Sequence, residues 1–428
     1  MRKIGNILDT ISITHKFDKK KLIFLNTSDV LGGKILIDSY MNVDELKGQA
    51  KKTIKNNDIL YSEIRPKNKR YAYVDVLKPE DYVVSTKLMV LRNKTNDVLT
   101  KYVYYFLTYD GTLDYLQMRA ENRIGSFPQI TFDIVKTLEL NVPDIATQQK
   151  IVDVISSLDN KIELNNRINS ELEAMAKTLY DYWFVQFDFP NEQGKPYKSS
   201  GGKMIWNEEL KREIPEGWEA KTLLDFCNNI GDGIHGTPEY VDNSDYFFIN
   251  GNNLKNGFIE IDADTKNVSS VEYEKYFIDL NDGTIFLSIN GTLGNLAVYT
   301  GEKVMLGKSA SFINCKGKNR PYCYQFLKLE NIQKKFWNIA TGSTIKNLSL
   351  QSLKNLLIQF PGNALIEKYY DFAKPIDDKR KNIFKENQTL TELRDWLLPM
   401  LMNGQVKVEE IEELRMVAEP KGEYGKNN

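Results

Sequence analysis

Apolar and polar residues alternate in short bursts over residues 21–143, and then the period of the pattern changes. Residues 21–25, 59–61, 71–74 and 82–84 read as strands, punctuated by turn clusters such as Leu31-Gly32-Gly33-Lys34. A helix is predicted over 101–107. After Pro143 the apolar positions Ile151, Ile155, Leu158, Ile162, Ile168, Leu172, Met175 and Leu179 fall on one helical face, with Asp144 or Thr147 available as its cap. The plan then recurs. Residues 247–249, 258–261, 284–287 and 296–299 read as strands, and 322–327 echoes the helix at 101–107. A second long helix carries Phe372, Ile376, Ile383, Leu390, Leu393 and Leu397, four of them in strict seven-residue steps. That step predicts a seam against another helix. Two helices of about 38 residues would each be about 57 Å long, too long to bury such a stripe against one small domain.

The recurrence can be measured in residues. Gly125 and Gly342 lie 217 positions apart, while Pro143 and Pro361, Asp159 and Asp377, and Lys161 and Lys379 all lie 218 apart. One globular module followed by one helix, built twice, reads as a two-headed ruler more readily than as an enzyme with a single cleft.

The chain has 428 residues, 41% hydrophobic and 27% charged, which is room for two ordinary cores in a soluble protein. No run approaches a membrane span and no apolar leader follows Met1, so a cytoplasmic location is the expectation. Cys227, Cys315 and Cys323 show no CxxC spacing, and only His15 and His235 offer imidazoles, which argues against a structural zinc site. The cysteines are expected in the core. A net charge of −1 argues against a nonspecific polycation. Residues 1–143 nonetheless hold 23 Lys and Arg against 17 Asp and Glu, so any nucleic-acid surface must be a local patch.

Four patterns imitate catalytic motifs. Gly231-x-Gly233-x-x-Gly236 has dinucleotide-loop spacing, but no clean strand is expected before it and Thr237-Pro238-Glu239 follows where a helix should start. Gly301 to Gly307-Lys308-Ser309 has one residue too many for a phosphate loop and runs into a strand pattern, so it reads as a turn. Asp144 and Asp159, on one helix, would be about 22 Å apart and could not share a metal. The Asn/Asp-Pro-Pro-aromatic motif of amino-methylating enzymes is absent, and no Ser/Cys–His pair stands at a suggestive spacing. No catalytic or metal-ligating residue is assigned.

The modules offer hydrogen-bonding loops instead: 232–238, 250–253, 288–292 and 340–343 in the second half, and the basic loops 16–21 and 65–70 in the first. Asn can bond adenine in bidentate fashion, and Ser, Thr and backbone N–H groups reach phosphates. Any one such loop is as readily a solvated turn. Recurrence at equivalent places in two copies favours a binding role.

In order and in duplicate, these segments resemble the specificity subunit of type I restriction–modification enzymes, across nearly the whole chain. Ile214-Pro215-Glu216-Gly217-Trp218-Glu219 resembles the opening of a target-recognition domain. Gly236-Thr237-Pro238-Glu239-Tyr240, Asp282-Gly283-Thr284-Ile285-Phe286-Leu287-Ser288, Asn290-Gly291-Thr292-Leu293-Gly294 and Thr341-Gly342-Ser343 are similar to its recognition segments. Val142-Pro143, Thr147-Gln148-Gln149-Lys150-Ile151 and Leu158-Asp159-Asn160-Lys161-Ile162 are similar to the head of its central conserved helix. The N-terminus lacks an Ile-Pro-x-Gly-Trp counterpart and Arg65-Pro66-Lys67 replaces the Gly-Thr turn, so the first module is expected to start abruptly, shortened or divergent.

The resemblance implies an α+β protein: two β-rich α/β target-recognition domains separated by two long conserved helices, which form an antiparallel coiled coil in a pseudo-two-fold repeat. The expected segments are 1–143 and 214–361 for the domains, 144–188 and 362–404 for the helices, 189–213 for a linker and 405–428 for a charged tail. Recognition of an asymmetric bipartite duplex is expected from Lys19, Lys20, Arg65, Lys67, Arg70, Arg123 and Ser126 in the first domain. In the second it is expected from His235, Thr237, Asn252, Asn290, Thr292, Ser343 and Lys346. The implied partners are double-stranded DNA, two modification (methyltransferase) subunits and restriction/motor subunits. S-adenosylmethionine, ATP and Mg belong on those partners, and no cofactor is expected in this chain. A specificity partner of another multisubunit restriction enzyme and a coiled-coil scaffold binding protein or carbohydrate are the competing readings. A stand-alone nuclease or methyltransferase is disfavoured by the missing motifs.

Overall fold

A computed structural model describes residues 1–46, 48–122, 128–262 and 264–406. The chain divides into two compact units, one of Met1–Glu163 with the segment from Asn387 onward, the other Leu164–Glu386. Each contains one globular head and parts of both long helices, Ile145–Tyr180 and Asn363–Met402.

In the first unit the apolar runs form two four-stranded sheets. One has the order Met41–Asn42, Lys21–Leu25, Tyr82–Ser85, Ala50–Thr53, with a parallel central pair in which Tyr82 to Val84 face Ile23 to Leu25. The other has the order Leu8–Thr10, Leu88–Asn93, Ile59–Ser62, Tyr71–Tyr73 and is wholly antiparallel. Helices Thr100–Thr108 and Asp110–Glu121 follow, and Tyr102, Val103, Leu113 and Leu116 bury against Ile59, Met89 and Leu91.

The second unit repeats this order. Its antiparallel sheet runs Cys227–Asp232, Ala310–Cys315, Thr284–Ser288, Leu296–Val298, and its parallel pair joins Phe247–Ile249 to Val304–Leu306. The copies agree in detail. Asn26 caps the turn Thr27–Asp29 as Asn250 caps Gly251–Asn253, 224 positions later. Helix Arg320–Lys328 stands 220 positions after Thr100–Thr108. The first head does not open abruptly: Arg2–Lys3 pairs with Glu139–Leu140 as Glu219–Thr222 pairs with Leu357–Phe360. This two-stranded ladder forms without the Ile-Pro-x-Gly-Trp residues, because ladder hydrogen bonds need no particular side chain.

The heads diverge in the sheet that holds the parallel pair. In the first, one extra strand flanks each side; in the second, Lys266–Val268 and then Tyr240–Val241 lie on the same side, beside Phe247–Ile249.

The long helices pair antiparallel. Asp159 meets Arg394 at 3.2 Å in the first unit; in the second, Asn165 donates to Glu386 at 2.9 Å and Glu173 pairs with Arg380. As one partner's number rises the other's falls in step, which is the register of an antiparallel pair. The seam is not the apolar stripe expected. Ile151, Ile155, Ile383 and Leu397 are buried, but Met175, Phe372 and Leu393 are exposed, while Asn165 and Arg380 are buried. Tyr180, Phe184, Ile366 and Tyr369 share a core with the second head, and Ile151, Val152, Leu397 and Leu401 share one with the first. The heads thus take up apolar faces that a heptad pattern alone would assign to the partner helix.

Residues 189–213 are ordered structure. Phe189 stacks on Tyr197 at 4.7 Å and on Trp218 at 5.2 Å, and Met204–Asn207 pairs with Arg212–Pro215 as a hairpin. No helix of the described residues is long and apolar enough to cross a membrane.

Candidate nucleic-acid interface

In the second head, five loops that are distant in sequence converge at one end of the sheets. The parallel pairing that places Ile249 beside Leu306 also brings Gly307-Lys308-Ser309 next to the 232–237 loop, where Ile234 N–H donates to Leu306 O at 2.9 Å. Ser309 Oγ accepts from Gly251 N–H and donates to Asn250 Oδ1, both at 2.9 Å, which fixes the 250–253 turn. Ile289 N–H donates to Ser309 O at 3.0 Å, and Leu348 N–H to Ile289 O at 2.8 Å. Asn290 forms a bridge with Asn347, and Thr341 and Asn347 exchange two backbone bonds.

The result is a cleft of about 210 Å³ lined by Asp232, His235, Asn290, Lys308, Asn347 and Ser349, among others. His235 and Asp232 hold each other at 3.0 Å, the imidazole remaining 75% exposed. Thr237, Asn252, Thr292 and Ser343 are exposed on the surrounding loops, and Thr292 Oγ1 lies 3.0 Å from Ser288 Oγ. Lys308 is exposed and Lys346 half-buried, and neither makes an ion pair among the described residues. Most other lysines of this head are paired with acids, as are Lys255, Lys275 and Lys334. An unpaired ammonium is free to replace counterions on a phosphate.

All seven residues expected from the sequence therefore sit on loops, and His235 and Asn290 line the same cleft. Lys308, Asn347 and Ser349 were not singled out. Lys308 sits in the turn that imitates a phosphate loop; the structure has a turn there, leading into the strand Ala310–Cys315, and the turn itself borders the cleft. One expectation fails: a strand, Cys227–Asp232, does precede the Gly231-x-Gly233-x-x-Gly236 segment. A Cβ at Gly233 would stand 2.0 Å from Leu306 O, so this glycine serves strand approach. No helix follows.

In the first head the basic residues divide. Lys19 binds Asp81, which also accepts from Tyr40 Oη at 2.6 Å; these two hydrogen bonds hold the Asp81 carboxyl below its ordinary range. Lys67 pairs with Asp114 at 2.9 Å, and Arg70 donates to the Ser28 and Val30 carbonyls at 2.9 and 3.3 Å. Lys20 and Arg65 are exposed. Arg65 and Lys69 bracket the turn Pro66–Asn68 with φ of +46° and +53°, the left-handed region that non-glycine residues seldom occupy. Arg123 and Ser126 lie outside the described residues, as does the chain beyond residue 406.

Both motif-like aspartates have structural partners. Asp144 caps the first long helix, accepting from the Ala146 and Thr147 amides at 3.0 Å, and Asp159 accepts from Tyr105 and Arg394. Among the described residues no three His, Cys, Asp or Glu side chains cluster as metal ligands. The three cysteines are buried and unpaired.

Comparison with known proteins gives a consistent answer. The family model described as "Type I restriction modification DNA specificity domain" matches twice, over residues 2–174 and 215–392. The chain is 34% identical over 460 aligned positions to the type I restriction enzyme HindI specificity subunit of Haemophilus influenzae, covering 94% of this chain and 98% of that one. It is 26% identical to the MjaIX specificity subunit of Methanocaldococcus jannaschii, covering 73% and 71%. A crystal structure of the type I restriction–modification S subunit from M. genitalium aligns with a TM-score of 0.50 at 17% identity, covering 94% and 95%, and supports the fold. With the matched segments spanning both heads and most of both long helices, the chain belongs to the type I restriction–modification DNA specificity family and is a specificity subunit of that class.

Proposed function

We propose that each head reads one half of an asymmetric bipartite duplex, and that the chain directs modification and restriction subunits to that site while supplying no bond-making chemistry itself. One observation carries this reading: the two heads share the four-stranded antiparallel sheet and the parallel strand pair, yet differ in which strands flank that pair. A shared frame with divergent flanks is what two different half-sites require.

In the second domain, taken as 214–361, Lys308 and Lys346 neutralise phosphates. His235, Asn290 and Asn347 test base edges from the cleft, with Thr237, Asn252, Thr292 and Ser343 on the loops around it. In the first, taken as 1–143, Lys20 and Arg65 contact phosphate, and Lys19, Lys67 and Arg70 shape the loops that do so; Arg123 and Ser126 are assigned to DNA contact on sequence grounds alone. The helices 144–188 and 362–404 serve as the spacer gauge. Their exposed apolar residues, Ile145, Leu393 and Trp396 in one unit and Met175 and Phe372 in the other, suit two docked methyltransferase subunits. S-adenosylmethionine, ATP and Mg reside on the partner subunits, and the complex works in the cytoplasm.

Methylome sequencing of cells with and without this gene tests the reading. The expected result is a gene-dependent methylated motif of two unlike half-sites around an unread gap. A gene-dependent motif that is continuous or palindromic, or no change on deletion of an active system, would refute it.

A further inference from the structure

Away from the cleft lined by His235, Asn290 and Asn347, the second unit holds a cluster of charges where the head meets the long helices. Arg320, only 3% exposed, opens the helix Arg320–Lys328 and pairs with Asp377 of the second long helix. Asp282, in the turn before the strand Thr284–Ser288, accepts from Lys381 at 2.5 Å and lies 3.9 Å from Arg320. Lys381 also stands 3.7 Å from Asp377, closing a ring of four groups. At the other end of the same short helix, Lys328 pairs with Glu173 of the first long helix, and Glu173 pairs as well with Arg380 of the second. Between these anchors Phe258 stacks on Phe384 at 4.3 Å, under the Arg380 guanidinium.

Among the described residues the first head is joined differently, with Lys34 pairing with Glu163 of the first long helix. At the positions 220 residues earlier, Arg320 and Lys328 are matched by Thr100 and Thr108. Asp159, the counterpart of Asp377, is bonded by Tyr105 at 3.0 Å and by Arg394, which lies on the other long helix.

Buried ion pairs are poor sources of stability, since apolar replacements of equal volume are often as stable or more so. What they add is direction. Apolar contact tolerates sliding and rotation, whereas hydrogen-bonded charges on two helices and a head satisfy one another in one geometry. We propose that Arg320, Asp377, Lys381 and Asp282, with the Lys328–Glu173–Arg380 trio, are positioning residues that fix the angle at which the second head leaves the helix pair, and so set the spacer length accepted between half-sites. This inference rests on the bipartite reading above, and goes beyond it by locating spacer fidelity at the head–helix joint as well as in helix length.

The test is methylome sequencing of the complete complex carrying Arg320→Met with Asp377→Leu, which removes both charges together and leaves no orphan. The expected result is unchanged half-site bases, with methylation appearing at spacers one base pair longer and shorter than the wild-type gap. Unaltered spacer preference in the charge-removed complex, or a change in the half-site bases, overturns the proposal. Should that pair fail to assemble, Lys328→Met with Glu173→Gln and Arg380→Met, which removes the whole trio, decides by the same two outcomes. A wild-type complex with no bipartite motif would sink the earlier reading, whereas a wild-type fixed spacer that every variant retains sinks only this one.

Discussion

Gly257 and Gly291 both have positive φ, +84° and +74°, but only one is crowded. A Cβ at Gly257 would lie 2.8 Å from Tyr324 Oη and 2.9 Å from Arg380 Nη2, whereas nothing stands within 4 Å of the Gly291 position. Gly291→Ala should therefore cost only the left-handed backbone strain, about 1–2 kcal/mol. Gly257→Ala should cost more and lower the melting temperature further, as thermal denaturation of the two variants would measure; equal losses would show that the joint yields. The Asp282 carboxyl sets a pH dependence. Burial pushes its pKa up, but the Lys381 hydrogen bond and the charges of Arg320, Lys381 and Lys374 outweigh this and hold it below the ordinary 3.8. A depressed carboxylate contributes stability that is complete above its unfolded value and lost as pH falls through the lower folded one. Trp183, Trp206, Trp218 and Trp337 all lie in the second unit, so its unfolding can be followed by fluorescence. The difference in melting temperature between wild type and Asp282→Asn should hold down to about pH 5 and shrink below about pH 4. A gap that persists at low pH would show the carboxylate to be unimportant there. At this scale the sequence exposed the loop asparagines and threonines but hid Lys308 and Asn347, whose significance depends on neighbours 50 and more residues away.

Among the elements, strands such as Lys21–Leu25, Phe247–Ile249 and Thr284–Ser288 were legible because each is a short apolar run between turn residues. The long helices were legible by period, and their observed lengths of 36 and 40 residues lie close to the expected 38 or so. Which residues they bury was not. The seven-residue step assumes that the partner is another helix, yet in both units a head covers part of the stripe. The polar centre of the seam carries its own prediction. Asn165 is 1% exposed and bonded to Glu386, which is itself exposed and can be solvated without it. A buried Asn in a helix seam secures register at the expense of stability. Asn165→Leu should accordingly raise the calorimetric melting temperature; a fall would mean that the asparagine contributes net stability.

For the whole molecule, the ruler reading makes helix length a functional variable. Four residues inserted in frame into either long helix add one turn, about 6 Å of rise. At about 3.4 Å per base pair, the methylated motif should keep both half-sites and gain about two base pairs of spacer. An unchanged gap in methylome data from the assembled variant would contradict the gauge. Purified chain should bind a duplex carrying both half-sites with an affinity that falls steeply with salt, since each phosphate neutralised by Lys or Arg releases counterions. A salt-independent affinity would point away from the unpaired lysines.

Duplication, the α+β class, the long helices and the absence of recognisable catalytic motifs were written in the sequence, because offsets near 218 and a change of apolar period are properties of the linear chain. Tertiary structure decided which loops share a surface, which lysines are already paired, and which helix faces the heads cover. These depend on groups brought together across more than 50 residues, by a parallel strand pair and by antiparallel helices. Local pattern sees one chain segment at a time, whereas burial and ion pairing belong to the segments that meet.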